Sequence, residues 1–143
     1  VTFIALDVGD KTIGVSASDE LGITAQGVGT VQRRAERFDF PALFRMVEGR
    51  DIARWVVGWP LNMDGSEGPR ALKTRRFAQR LMAQVPAPVF LWDERLSTWE
   101  ADAVLREGRV RADRRKQYVD MLAAQLILQS YLAAGAPAEG VVP

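Results

Sequence analysis

The sequence predicts an α/β layer fold, a mixed five-stranded sheet flanked by helices. Three observations point to it. An apolar run from Phe3 to Leu6 is followed by Ile13, Val15 and Ala17 alternating with small or polar neighbours, the pattern of a hairpin of half-buried strands. Further along, helical and strand periods alternate, which calls for parallel crossovers beside the antiparallel strands. Finally, 143 residues, 48% of them hydrophobic, can bury one core but cannot build two lobes that close on a ligand.

"DVGDKT" closes the first strand, Thr12 to Ser18 forms the second, and the turn "DELG" leads into a third, Ile23 to Val31, where Gly27 and Gly29 mark a bulge or bend. A helix starting at about Pro41, a residue suited to a first helical turn, carries Phe40, Leu43, Phe44 and Val47 on one face and stops at Gly49. "ARWVVGW" is the fourth strand. Its loop, "PLNMDGSEGP", ends in Gly68-Pro69 and opens a second helix. Phe77, Ala78, Leu81, Met82 and Val85 form the buried stripe of that helix, and Arg70, Lys73, Arg75, Arg76 and Arg80 form the opposite face. "VFLW" is the last strand, and "DERLST" leads into a short helix from Ser97 to Arg106. A basic connector to Lys116 and a long final helix, Arg114 to Leu132, follow. The expectation is one domain over 1–134 and a flexible tail over 135–143.

Cysteine and histidine are both absent. That excludes Cys and Ser-His nucleophiles, Cys/His zinc sites and disulfides, so acid-base or metal chemistry rests on Asp and Glu, with Mg²⁺ or Mn²⁺ as the matching hard cations. No apolar run approaches the roughly 18 residues of a membrane span. Val1 to Leu6 also lacks a basic leader, so the expectation is a cytoplasmic protein with no membrane partner. Net charge is +1, yet residues 1–69 hold 7 basic and 10 acidic side chains and residues 70–116 hold 12 and 6. Such a belt suits a polyanion, although a solvated helix face accounts for any one cluster.

In folds of this type, sites form at the carboxyl ends of the parallel strands, where the loops after Asp7, after Trp59 and after Asp93-Glu94 converge. Asp7 and Glu94 end two such strands. Asp120 lies in line with Ala123, Ala124 and Ile127 on the final helix, a face that would meet the sheet. A carboxylate there is costly unless it is paired or binds a metal. Taken singly, Asp7 could start a turn, Glu94 could cap a helix or pair with Arg95, and Asp120 could pair with Lys116. Their joint placement at one edge is what raises a metal site above these readings. "GDKT" lacks the earlier glycine of a Walker loop. Gly68-Pro69 opens a helix whose free N–H groups favour an anion. Trp59 and Trp92 flank the same edge, either as base-stacking platforms or, more commonly, as core.

"ALDVGDKTIGVS", "VVGWPLNMDGSEGP", "LWDERLST" and "VDMLAAQLILQSYL" together resemble the YqgF or RuvX family of pre-16S rRNA nucleases and Holliday junction resolvase-like proteins, over nearly the whole chain. The resemblance implies an RNase H-like fold and places divalent metal on Asp7, Glu94 and Asp120. Nucleic acid is then expected on Lys11, Asn62, Arg70, Lys73, Arg76, Arg95, Ser97, Thr98, Arg114 and Lys116. Thr12 stands where many relatives have Arg, and Trp59 where they usually have Leu. The function expected first is a metal-dependent endonuclease trimming the 5′ end of pre-16S rRNA. A resolvase of four-way DNA junctions, which needs a homodimer, comes second, and an RNA-binding ribosome assembly factor of weak catalytic power third.

Overall fold

A computed structural model of the chain describes residues 1–95 and 112–143, with the side chains of the final helix described from Tyr118 onward. Five strands, β1 (Thr2–Val8), β2 (Thr12–Ser18), β3 (Ala25–Gln32), β4 (Ile52–Trp59) and β5 (Val89–Asp93), form one sheet in the order β3-β2-β1-β4-β5. The first three pair antiparallel, and β4 and β5 join parallel to β1. This is the mixed sheet that the alternating periods predict.

Strand alternation sorts the side chains onto two faces. On one, Ile4, Leu6, Val15 and Val57 pack against Phe40, Leu43, Phe77 and Leu81 from α1 (Glu36–Met46) and α2 (Pro69–Met82). On the other, Ala5 and Val56 pack against Ile127, Leu128 and Tyr131 of α3 (Ala112–Ala133). The two glycines of β3 bring the expected irregularity: the register slips between Val15 and Ser16, which pair with Gly29 and Gly27.

One expectation is revised by the structure. α1 begins at Glu36, five residues before Pro41, so the proline lies inside the helix. The acidic first turn accounts for the earlier start. Ala35 accepts the N–H groups of Phe38 and Asp39 at 2.8 and 2.9 Å, and the Asp39 carboxylate accepts the Arg34 N–H at 2.8 Å, so the helix is nucleated before the proline removes one donor. Residues 135–143 make several contacts with the rest of the chain. Tyr131 donates to the Pro137 carbonyl at 2.6 Å, Arg54 to the Ala136 carbonyl at 2.9 Å and Gln79 to the Pro143 carbonyl at 2.9 Å. The Leu91 N–H donates to Val141 at 2.8 Å, forming an antiparallel bridge on β5. The expected short helix over 97–106 and the connector up to 111 lie outside the described residues. Among the described residues, no helix is long and apolar enough to cross a membrane.

Candidate active site

Asp7 has the same strand parity as Ala5 and therefore faces α3. Its partner across the β1–β2 ladder is Gly14, where α3 comes down onto the sheet: a Cβ on Gly14 would overlap the Asp120 carbonyl oxygen. On the other side of β1, Gly58 in β4 leaves the space filled by Ile127 and the Glu94 carboxyl, both of which a Cβ at 58 would overlap. Glycines on the two strands beside β1 thus admit Asp120 from one direction and Glu94 from the other. α3 is also laced to β2 by side chains. The Thr12 hydroxyl donates to Oδ2 of Asp120, and Ser16 donates to the Ala124 carbonyl at 2.7 Å.

The electrostatics follow from this crowding. Glu94 is buried and Asp7 half-buried. Burial, then the neighbouring Asp120 charge, pushes the Asp7 carboxyl up to about 6, and burial, then the Asp7 charge, pushes Glu94 up to about 8. Of the two, Glu94 is pushed higher, so it is the carboxyl that favours the proton, while Glu94 in turn draws the Asp7 value down. Arg70, in the first turn of α2 behind Gly68 and Pro69, pulls both values back down, so its guanidinium acts on the same pair.

Acids whose hold on a proton is raised by burial and by a neighbouring carboxylate, Asp120 for Asp7 and Asp7 for Glu94, also suit a hard divalent cation, which would relieve the same repulsion with an all-oxygen donor set. The fit rests on Asp7 and Glu94. Asp120 is within electrostatic reach of Asp7, but its carboxylate is turned to Thr12, and among the described residues no three Asp or Glu side chains are gathered as a metal-ligating group.

The other residues singled out by sequence are spread around this edge. Lys11 is exposed in the β1–β2 turn, and Lys73 is exposed 3.5 Å from Asp10. Arg76 is exposed, and among the described residues no carboxylate stands at ion-pair distance from it. Asn62 and Arg95 build the loop between β4 and α2. Asn62 donates to Ser66 at 3.0 Å, and Arg95 grips Asp93 at 2.6 Å while donating to the Met63 carbonyl at 3.1 Å. Ser97 and Thr98, and the side chains of Arg114 and Lys116, lie outside the described residues.

Both tryptophans are half-buried, line a cleft and have part of the ring already engaged. Arg75 lies 5.0 Å over Trp59 while pairing with Glu67 at 2.7 Å, and Trp92 packs edge-on against Tyr131 and donates to Ser130 at 3.1 Å. Sequence reasoning passed over Arg33 and Arg34. Both directly follow β3, which runs parallel to β1 and so delivers its carboxyl end to the same edge; that parity was available in the meander.

Comparison with known proteins identifies the family and the fold. Residues 1–134 match a family model described as "RuvX: Holliday junction resolvase". A Symbiobacterium thermophilum protein named "Putative pre-16S rRNA nuclease" is 50% identical over 131 residues, 92% of this chain and 91% of that one. A Myxococcus xanthus protein of the same name is 48% identical, covering 94% and 89%. Among solved structures, the fowlpox virus resolvase with Holliday junction DNA superposes with a TM-score of 0.58 at 10% identity, covering 96% of this chain and 100% of that one. Thermus thermophilus RuvC with its junction substrate gives 0.56 at 15%, covering 94% and 96%. At such low identity these two speak for the fold, which is RNase H-like.

Proposed function

This chain belongs to the RuvX family, and on that premise we propose that it is a divalent-metal-dependent endonuclease that cuts structured RNA, processing the 5′ end of pre-16S rRNA. The observation that carries the reading is the placement of Asp7 and Glu94, both with raised carboxyl values, at the carboxyl ends of two parallel strands, with the α3 backbone at Asp120 keyed in beside them through Gly14. Asp7 and Glu94, with Asp120 contributing the carboxylate oxygen that Thr12 does not hold, would bind Mg²⁺ or Mn²⁺. Such an ion supplies a hydroxide-like nucleophile near neutral pH and stabilises the departing oxygen.

The chain's own groups have separate tasks. Glu94 would release its proton to solvent for both carboxylates to serve as ligands. Arg70 stands beside them as the fixed positive group that a scissile phosphate would meet. Thr12 fixes the rotamer of Asp120 before the ion arrives.

RNA is placed ahead of a four-way DNA junction because the relatives near 50% identity are named for rRNA, whereas the structures solved with junction DNA share only 10–15% of the sequence. The test is to incubate the protein with labelled precursor 16S rRNA ends and with synthetic junctions, adding Mg²⁺, Mn²⁺ or EDTA. The reading requires metal-dependent cuts at the rRNA end that Asp7→Asn abolishes. Metal-dependent cutting of the junction alone would transfer the assignment to a resolvase. Binding with no cutting in any metal would leave an assembly factor.

A further inference from the structure

On the opposite side of the sheet edge from α3, the β1–β2 turn, the residues following β3 and the exposed flank of α2 enclose a cleft of about 520 Å³. Its charges do not cancel. Three acids line it, and each is already matched: Asp10 with Lys73 at 3.5 Å, Glu36 with Arg80 at 2.5 Å and Asp39 with Arg33 at 3.4 Å. Arg34, Arg70 and Arg76 remain, and among the described residues no carboxylate stands at ion-pair distance from any of them. Three guanidiniums without an ion-pair partner among the described residues, converging on one cleft, make a site for a polyanion.

The geometry narrows the ligand further. Arg70 acts on both Asp7 and Glu94 and also lines the cleft, so one guanidinium links the cleft to the carboxylate pair. Its volume falls within the range of small-ligand clefts, far too small for a duplex but sufficient for part of a single strand. The lining aromatic, Phe77, has Arg33 stacked over it at 5.4 Å, and the nearby Phe38 has Arg34 over it at 4.7 Å, so neither ring is open to a base. Recognition is therefore by phosphate charge rather than by base identity.

We propose that this cleft holds the sugar-phosphate backbone of a single strand flanking the cleavage point, led past Arg70 and gripped by Arg34 and Arg76. The proposal rests on the nuclease reading above, since it needs a scissile phosphate at Asp7 and Glu94.

The experiment measures affinity in EDTA for an RNA hairpin with single-stranded extensions and for the same hairpin blunt-ended, using the intact chain, Arg34→Glu, Arg76→Glu and the charge-keeping Arg34→Lys and Arg76→Lys. The extension should tighten binding to the unaltered protein about tenfold. Each charge reversal should remove most of that gain and lower the slope of log affinity against log salt by roughly 0.7, while the lysine variants keep both. Thermal melts establish that each variant is folded, and two separate arginines guard against one misfolding. An extension gain and salt slope unchanged in both reversals overturns the proposal. Cutting is scored apart, in Mn²⁺, so a protein that cuts RNA but shows no extension gain loses only the cleft, and one that never cuts loses the nuclease reading.

Discussion

The two faces of the sheet are built on opposite principles. Under α1 and α2 the strands present Ile4, Leu6, Ile13, Val15, Val57 and Leu91, which meet stacked Phe40 and Phe77. Under α3 they present Ala5, Gly14, Ser16, Gly27 and Gly58, and the helix backbone sits almost on the sheet. Large side chains on the first face bury apolar area, the dominant stabilising contribution. Small ones on the second give up that area and let Glu94 and the α3 backbone at Asp120 come close beside Asp7. Stability is concentrated on one side and the proposed chemistry on the other.

That contrast can be broken most severely at the carboxylates. Glu94→Gln should lower metal-dependent cleavage by about a thousandfold or more, the scale of losing a group that acts on the transition state. Circular dichroism should show the fold intact. Leu43→Ala, on the α1/α2 face, should cost about 2–5 kcal/mol in a denaturant melt. The fraction that remains folded should cut at the normal rate. Gly14→Ala should cost a comparable amount, about 3 kcal/mol or more, and also reduce cleavage strongly in the folded fraction, because the new methyl meets the backbone that carries Asp120. If Leu43→Ala harmed catalysis in the folded fraction as much as Gly14→Ala, the division between the faces would not hold.

A gentler probe is pH. With folded values of about 6 for Asp7 and about 8 for Glu94, both above the ordinary carboxyl range, the folded protein holds more protons than the unfolded chain between about pH 4 and pH 8. Stability therefore falls as pH rises through that window, since the charged form is the one that burial penalises. Without metal, Tm should drop by several degrees from pH 5 to pH 8. Glu94→Gln should flatten the drop, and Mn²⁺ should raise Tm more at pH 8 than at pH 5. A Tm that rises with pH in EDTA would contradict the pairing.

The smallest effect belongs to Thr12→Val, which removes the donor to Asp120 while keeping the side-chain shape. Mn²⁺ affinity measured calorimetrically without substrate should weaken by roughly tenfold, with Thr12→Ser restoring it.

Much of this was legible before folding. Asp7 stood out because a charge closes an apolar strand, Glu94 because it ends the last strand, and Asp120 because it aligns with Ala123, Ala124 and Ile127, all of which are buried. The sheet followed from the meander and the two crossovers. What stayed hidden depends on contacts between distant residues. Thr12 read as the loss of an arginine, whereas in the fold its hydroxyl meets a carboxylate 108 residues away. Arg75 and Arg80 looked like members of one free basic face, yet Glu67 and Glu36 claim them. Pro41 suggested a helix start because proline favours first turns, a local preference that the acidic turn before it overrode.

The Val141 bridge to Leu91 bears on how copies of the molecule could meet. An outer strand with free amide and carbonyl groups is a ready template for another chain, but at Leu91 the outward amide is already engaged by residues of its own tail. Two molecules cannot join here by continuing one sheet into the next without peeling that strap away. Concerted cutting of a symmetric four-armed DNA, which takes two copies, would have to assemble them through another surface.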